Sequence, residues 1–218
     1  MDVIEKGVGR IFTDPDANNA REYFRHKSRA LVSKLTTVKE AVSELIKDGD
    51  YISIGGFGAN RIATSALHEI LRQKKKNLGL AGHTATHDFQ VLSAGKVFNR
   101  LDIAYIIGLE ARGLSPNARA YMQSGEVEVS EWTNYTLSVR YKAAAAGVSF
   151  HPIRNMMGTD TFKFSGAVTV NCPFTGQKYA LVPALFSDVA ILHVHEADIY
   201  GNCRMRGIIM SDLDIVRS

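Results

Sequence analysis

The densest chemistry in the sequence is a glycine run around one aromatic ring, Gly55-Gly56-Phe57-Gly58, with Arg61 three residues on. Glycine accepts positive φ and lets a ligand approach the backbone closely. Amides at the start of a following helix favour a carboxylate or phosphate, and the Arg61 guanidinium can grip a carboxylate through two parallel hydrogen bonds. A plain strand-to-helix turn also accounts for these residues. The run is not a phosphate-binding P-loop, because no Gly-Lys-Ser/Thr follows it. It also departs from the dinucleotide fingerprint, because Ala63 occupies the place of the third glycine. His83 and His87 have the four-residue spacing of metal ligands on one helical face. Gly82 and Thr84 instead mark a loop, so His83 is read as a loop residue near substrate, and no metal site is expected. His193 and His195 alternate as on one face of a strand and are read as structural. Cys172 and Cys203 lie far apart, without the paired spacing of a zinc site, and fit reduced thiols.

These residues need a scaffold, and the hydrophobic pattern supplies one. Thr37-Val38-Lys39-Glu40 has capping-box spacing, and Val38, Ala41, Val42, Leu45 and Ile46 then share a helical face. Asp48-Gly49-Asp50 stops that helix before a strand at 51–54. A second helix buries Ile62, Ala66, Leu67, Ile70 and Leu71, and Lys74-Lys75-Lys76 suits its negative C-terminal end. Further strands are expected at 78–81, 103–107, 126–129, 150–153, 179–182 and 189–194, with helices at 89–92 and 135–146. Strands alternating with helices indicate an α/β fold, a mostly parallel open sheet flanked by helices. From about residue 160 onward, strand and turn signals predict a β-rich C-terminal part packed on that sheet. Asp198 to Asn202 reads as a tight turn, with Asn202 in the unusual conformation. Residues 1–35 read as a charged, amphipathic helical arm, its helix starting at Asp14-Pro15-Asp16 and running to Lys27, and residues 36–218 as one domain.

Ligands of open α/β sheets bind outside the carboxyl ends of the strands. That selects the loops at 55–61, 82–88, 108–113, 130–134 and 155–160. Glu131 and Asn134 lie in the fourth. On local grounds Glu131 is a helix-start residue facing the positive end of the dipole, and Asn134 a helix-start hydrogen bonder.

Composition narrows the function classes. With 45% hydrophobic and 22% charged residues the chain is neither disordered nor fibrous, and 218 residues can bury a core without disulfides. A net charge of +4 is too small to argue for a nucleic-acid partner. No run approaches the roughly 18–20 apolar residues that span a bilayer. The first residues, Met1-Asp2-Val3-Ile4-Glu5-Lys6, lack a secretion-signal layout, so a cytoplasmic protein is expected.

Several segments, in one common order, resemble the family I CoA-transferases, and in detail the A-type half of glutaconate CoA-transferase. They are Asp48-Gly49 with the strand and Gly55-Gly56-Phe57 and Arg61, then residues 92–97, the Ala-rich helix leading to residues 150–154, Met157-Gly158-Thr159-Asp160, and residues 195–202. The resemblance spans about residues 37–216. It implies the CoA-transferase (NagB/RpiA-like) fold and an enzyme that moves CoA between an acyl-CoA, dicarboxylyl and glutaconate-like, and a carboxylic acid. CoA thioester is then a substrate, with no tightly bound cofactor. The nucleophile in such enzymes is a glutamate of the B-type half, within a Ser-Glu-Asn-Gly-like stretch. This sequence has no such stretch, so the resemblance implies an A-type half, active only with a B-type partner in a hetero-oligomer, and neither nucleic acid nor membrane as partner. By the same resemblance Gly55, Gly56 and Phe57 line the acyl or carboxylate pocket, Arg61 contacts its acid group, and Glu131 and Asn134 stand where the resembling proteins are polar. Gly58, His83 and Asn134 are expected among the substrate-binding residues with them. Related proteins include a ring-opening CoA-ester hydrolase and a glutaconyl-type CoA decarboxylase, and the hydrolase implies an acid/base role for Glu131. Members of the family continue well beyond the point matched by residues 211–215.

Overall fold

The computed structural model describes residues 2–106 and 113–218. In chain order the elements begin with β1 (Glu5–Lys6), α1 (Ala17–Arg25), α2 (Val38–Leu45), β2 (Tyr51–Ile54), α3 (Thr64–Arg72) and β3 (Leu78–Gly82). Next come α4 (His87–Ala94), β4 (Phe98–Ile103), α5 (Pro116–Gln123), β5 (Glu128–Glu131), α6 (Asn134–Ala145) and β6 (Phe150–Ile153). The chain continues through α7 (Asp160–Lys163), β7 (Val168–Asn171), β8 (Lys178–Pro183), β9 (Val189–Ile191), β10 (Glu196–Ala197), β11 (Cys203–Arg204) and α8 (Asp212–Ile215).

A parallel sheet in the order β5-β4-β3-β2-β9 forms the centre. Its two faces differ in kind, because successive side chains of a strand point to opposite sides. Ile52, Ile54, Leu78, Leu80 and Leu101 point to one face and pack with Leu67, Ile70 and Phe89 of α3 and α4. Burying each such side chain is worth about 1.5–3 kcal/mol, and this is the main apolar core. On the other face stand Tyr51 and Ala81, packed with Leu137 of α6, Phe162 of α7, and Ala180 and Val182 of β8. That second core joins the parallel sheet to an antiparallel one in the order β1-β7-β8-β6. Gly79 is required there: a Cβ would lie 2.0 Å from Cδ2 of Tyr51.

The α/β architecture matches the sequence expectation; in the β-rich C-terminal part β7 and β8 belong to the antiparallel sheet, β9 joins the parallel one, and β10 and β11 pair with each other. Two strands are shifted. The strand expected at 103–107 is β4 at Phe98–Ile103, and the one expected at 126–129 is β5 at Glu128–Glu131. The polar Arg100 and Asp102 interrupt the apolar run of β4, yet both are accommodated in it. Residue 107 and most of the loop at 108–113 lie outside the described residues. Helix α5 escaped the sequence reading although Pro116 at its first turn is a start signal. The N-terminal arm is not helical throughout. Its helix runs only from Ala17 to Arg25, capped by Asp16, and β1 adds a strand beside β7. Strand β9 stops at Ile191, so His193 and His195 are not strand residues. In the turn after β10, Gly201 rather than Asn202 takes positive φ, at +89°.

Candidate functional site

The carboxyl ends of β2 to β5 carry the site, and the glycine turn after β2 is its first part. Gly55 donates to the Ile191 carbonyl at 2.9 Å, extending the β9 pairing. Gly56 takes φ +100°, where a Cβ would sit 2.8 Å from the Arg61 carbonyl oxygen, and its amide donates to Asp212 Oδ1 at 2.9 Å. Phe57 and Asn60 exchange main-chain hydrogen bonds of 3.0 and 2.9 Å. Gly58 donates to the Thr84 carbonyl at 3.0 Å and accepts from the Thr86 hydroxyl at 2.8 Å. All four amides are therefore satisfied within the protein. The Gly56 amide meets a carboxylate, that of Asp212, and the other three meet main-chain carbonyls.

Arg61 is committed in the same way. Its side chain is 7% exposed and its guanidinium grips Asp212 of α8, with Nη2–Oδ2 2.8 Å and Nη1–Oδ1 3.1 Å. It also donates to the Ile208 carbonyl. The carboxylate expected beside Arg61 was the acid group of a substrate; the guanidinium is instead engaged by Asp212 of the same chain. Burial opposes the charge on Asp212, but hydrogen bonds from Arg61 and the Gly56 amide outweigh it and hold its pKa below the usual carboxylate value. No local signal announces this pair, since 151 residues separate its members.

His83 follows β3 directly and is 4% exposed. Its ring centroid lies 6.4 Å from that of Phe57, and its buried Nδ1 has no hydrogen-bond partner. Burial lowers its pKa, and the nearby Asp212 charge partly offsets this. His83 and His87 do not share a helical face, because α4 begins only at His87. Among the described residues no three metal-ligating side chains cluster. Beneath this turn Asp88 is buried, its pKa raised by burial against hydrogen bonds from backbone amides that include Thr86 and Phe89.

Glu131 and Asn134 form the second part of the site, three strands away. That places them about 14 Å from the glycine turn at a strand spacing of about 4.8 Å. Glu131 ends β5, instead of following a strand, and is half-buried. Its carboxylate has no hydrogen-bond partner among the described residues. Asn134 opens α6, where Thr133 and Thr136 make the capping box, and its Oδ1 accepts from the Tyr105 amide at 3.3 Å. Sequence reading missed the side chains beneath this end, Asp102, Trp132 and Arg140, because buried charges leave no hydropathy signature. A cleft of about 310 Å³ lies elsewhere, between α1 and the amino ends of the strands, lined by Phe12, Tyr23, Tyr51 and Arg100. The carboxyl-end groups are the better candidate, since they combine an imidazole nitrogen and a carboxylate that have no hydrogen-bond partner among the described residues.

Comparison with known proteins decides the family. The model of the coenzyme A transferase family matches residues 35–213. This chain belongs to the coenzyme A transferase family. The A-type chain of 3-oxoadipate CoA-transferase from Pseudomonas knackmussii is 32% identical over 182 residues, covering 82% of this chain and 64% of that one. The crystal structure of glutaconate coenzyme A-transferase from Acidaminococcus fermentans superposes with a TM-score of 0.80 at 27% identity, covering 85% of this chain and 64% of its own. The structure of a variant of the decarboxylase AibA/AibB gives a TM-score of 0.78 at 30% identity, covering 85% and 71%. The chain spans about half to two thirds of the length of the curated relatives it matches first. The CoA-transferase fold therefore extends from the glycine turn through Asp212, and this family acts on CoA thioesters. No described helix is long and apolar enough to cross a membrane.

Proposed function

We propose that this chain is the A-type half of a two-chain enzyme that moves CoA between an acyl-CoA, dicarboxylyl in type, and a carboxylic acid. The observation that carries this reading is the make-up of the carboxyl edge. It offers groups that can position a thioester, Phe57, His83, Glu131 and Asn134, while the sequence lacks the Ser-Glu-Asn-Gly-like stretch of a nucleophile. Relatives named as one subunit of a CoA-transferase support a partner chain. In this mechanism a glutamate carboxylate of the B-type partner attacks the thioester carbonyl, the C–S bond breaks, and CoA leaves as thiolate from a mixed anhydride. The thiolate then attacks the glutamyl carbonyl and releases the first carboxylic acid. The acceptor carboxylate repeats the sequence in reverse, two easier steps replacing one hard exchange.

Within that pocket Gly55, Gly56 and Gly58 shape a wall on which the Phe57 ring is partly exposed. Arg61 holds the wall in place through Asp212. His83, neutral at pH 7, offers a buried imidazole nitrogen to a polar group of the substrate, and Asn134 lies beside Glu131. CoA enters as substrate, with no tightly bound cofactor, and the enzyme works in the cytoplasm. The decisive assay combines the chain with its B-type partner and follows exchange between glutaryl-CoA and acetate. CoA transfer supports the reading, and release of free CoA or CO₂ without transfer opposes it. The second reading, a CoA-ester hydrolase or decarboxylase, is favoured by one observation: the Glu131 carboxylate has no hydrogen-bond partner among the described residues and suits acid/base work.

A further inference from the structure

The backbone on either side of Glu131 is hydrogen-bonded, while its carboxylate has no hydrogen-bond partner among the described residues. Its own amide donates to the Phe164 carbonyl at 3.0 Å, and the next amide, Trp132, donates to the Ile103 carbonyl at 2.7 Å. The Trp132 indole N–H reaches inward to Asp102 Oδ1 at 2.5 Å. The same oxygen takes Nη1 of Arg140 at 2.7 Å, and the Tyr51 hydroxyl donates to Oδ2. Arg140 lies over the Trp132 ring, 4.1 Å from guanidinium carbon to centroid, and its Nε donates to the Pro183 carbonyl at 3.0 Å. Asp102 and Arg140 are both 0% exposed.

A buried ion pair of this kind is a poor stabiliser, because the cost of removing two charges from water offsets their attraction, and apolar residues of the same volume often do as well. What such a pair supplies is direction. A reacting group must be held within a fraction of an ångström by neighbours whose own positions are locked. Here strands β2 and β4 and helix α6 converge through Asp102 on one indole, and that indole belongs to the residue after Glu131.

We propose that Asp102 and Trp132 are positioning residues for Glu131: the indole–carboxylate hydrogen bond fixes the peptide following Glu131 and so aims its free carboxylate along the carboxyl edge of the sheet. This rests on the second reading above, in which the Glu131 carboxylate does acid/base work at the site. The Ser130 side chain turns to the opposite face and is buried, as strand alternation requires, so the aim depends on the backbone at 131–132 and not on contacts of the carboxylate itself.

The test uses the full-length protein assembled with its B-type partner, with glutaryl-CoA and acetate as probes. Trp132→Phe keeps an apolar ring and removes the N–H. It is expected to lower kcat at least 10-fold with KM unchanged within about twofold. Val182→Ala, in the second core and outside the site, serves as the control: matched for loss of thermal midpoint, it is expected to leave kcat within twofold. Should the Phe variant fail to assemble, Trp132→Tyr, whose hydroxyl does not fall where the indole N–H lies, is measured in its place with the same expected split. Glu131→Gln separates the two ideas. If it abolishes turnover and the Trp132 variant keeps its full kcat, the positioning role is overturned and Glu131 stands. If it leaves turnover intact, Glu131 itself leaves the chemistry and the positioning proposal falls with it.

Discussion

Arg61 shows how far a residue can be read before its partner is known. Its type and place after the glycines indicated the carboxylate of a substrate, and the structure gives it Asp212 of its own chain instead. Removing one member of a buried pair leaves the other unpaired, which costs about 3–5 kcal/mol. Arg61→Ala is therefore expected to lower the free energy of unfolding in urea by that order, and to weaken monocarboxylyl and dicarboxylyl substrates alike. Selective loss for dicarboxylyl substrates, with stability kept, would return Arg61 to substrate recognition. His83 gives a second prediction, on pH. Burial depresses its folded-state pKa, so below about pH 6.5 the unfolded chain takes up a proton that the folded chain resists. Stability then falls with pH by up to about 1.4 kcal/mol per unit until the folded imidazole protonates. Urea melts at pH 7.5, 6.5 and 5.5 should show this slope in the parent and a shallower one in His83→Leu. Equal slopes would show that His83 is not the group responsible.

Among the elements, helices α2, α3 and α6 and strands β2 and β3 were legible because their signals are local: the capping box at Thr37, the apolar face of α3, the left-handed Gly147 after α6. The shifted β4 was not. Its Asp102 looks like a strand breaker in sequence, and only the arrival of Tyr51, Trp132 and Arg140 from other elements makes a buried carboxylate tolerable there. The same holds for the glycine turn, whose position was clear but whose amides find acceptors on β9, α8 and the turn after β3. Packing between β2 and β3 supplies a clean test of this geometry. Gly79→Ala forces a Cβ to 2.0 Å from a Tyr51 ring that is itself held by Asp102, and overpacking of this sort costs about 1–3 kcal/mol. Gly82→Ala, on the same strand, meets only the Ala85 Cβ at 3.5 Å and is expected to melt within a degree or two of the parent. If both variants melt alike, the tight face of the sheet is wrongly described.

The whole molecule presents its sequence-legible pocket residues in two groups about 14 Å apart by strand count, along one edge of a sheet. On the proposed reading an extended thioester suits such a strip better than a compact ligand, and a B-type chain would complete it. Family membership fixes the fold; the substrate belongs to the proposal, and the division of labour between chains is its central claim. Mass spectrometry of the assembled enzyme, quenched during turnover of glutaryl-CoA, tests it most directly. A covalent acyl or CoA adduct on a glutamate of the B-type partner, with this chain unmodified, is the expected result. An adduct on this chain, at Glu131 or any other residue, would contradict it.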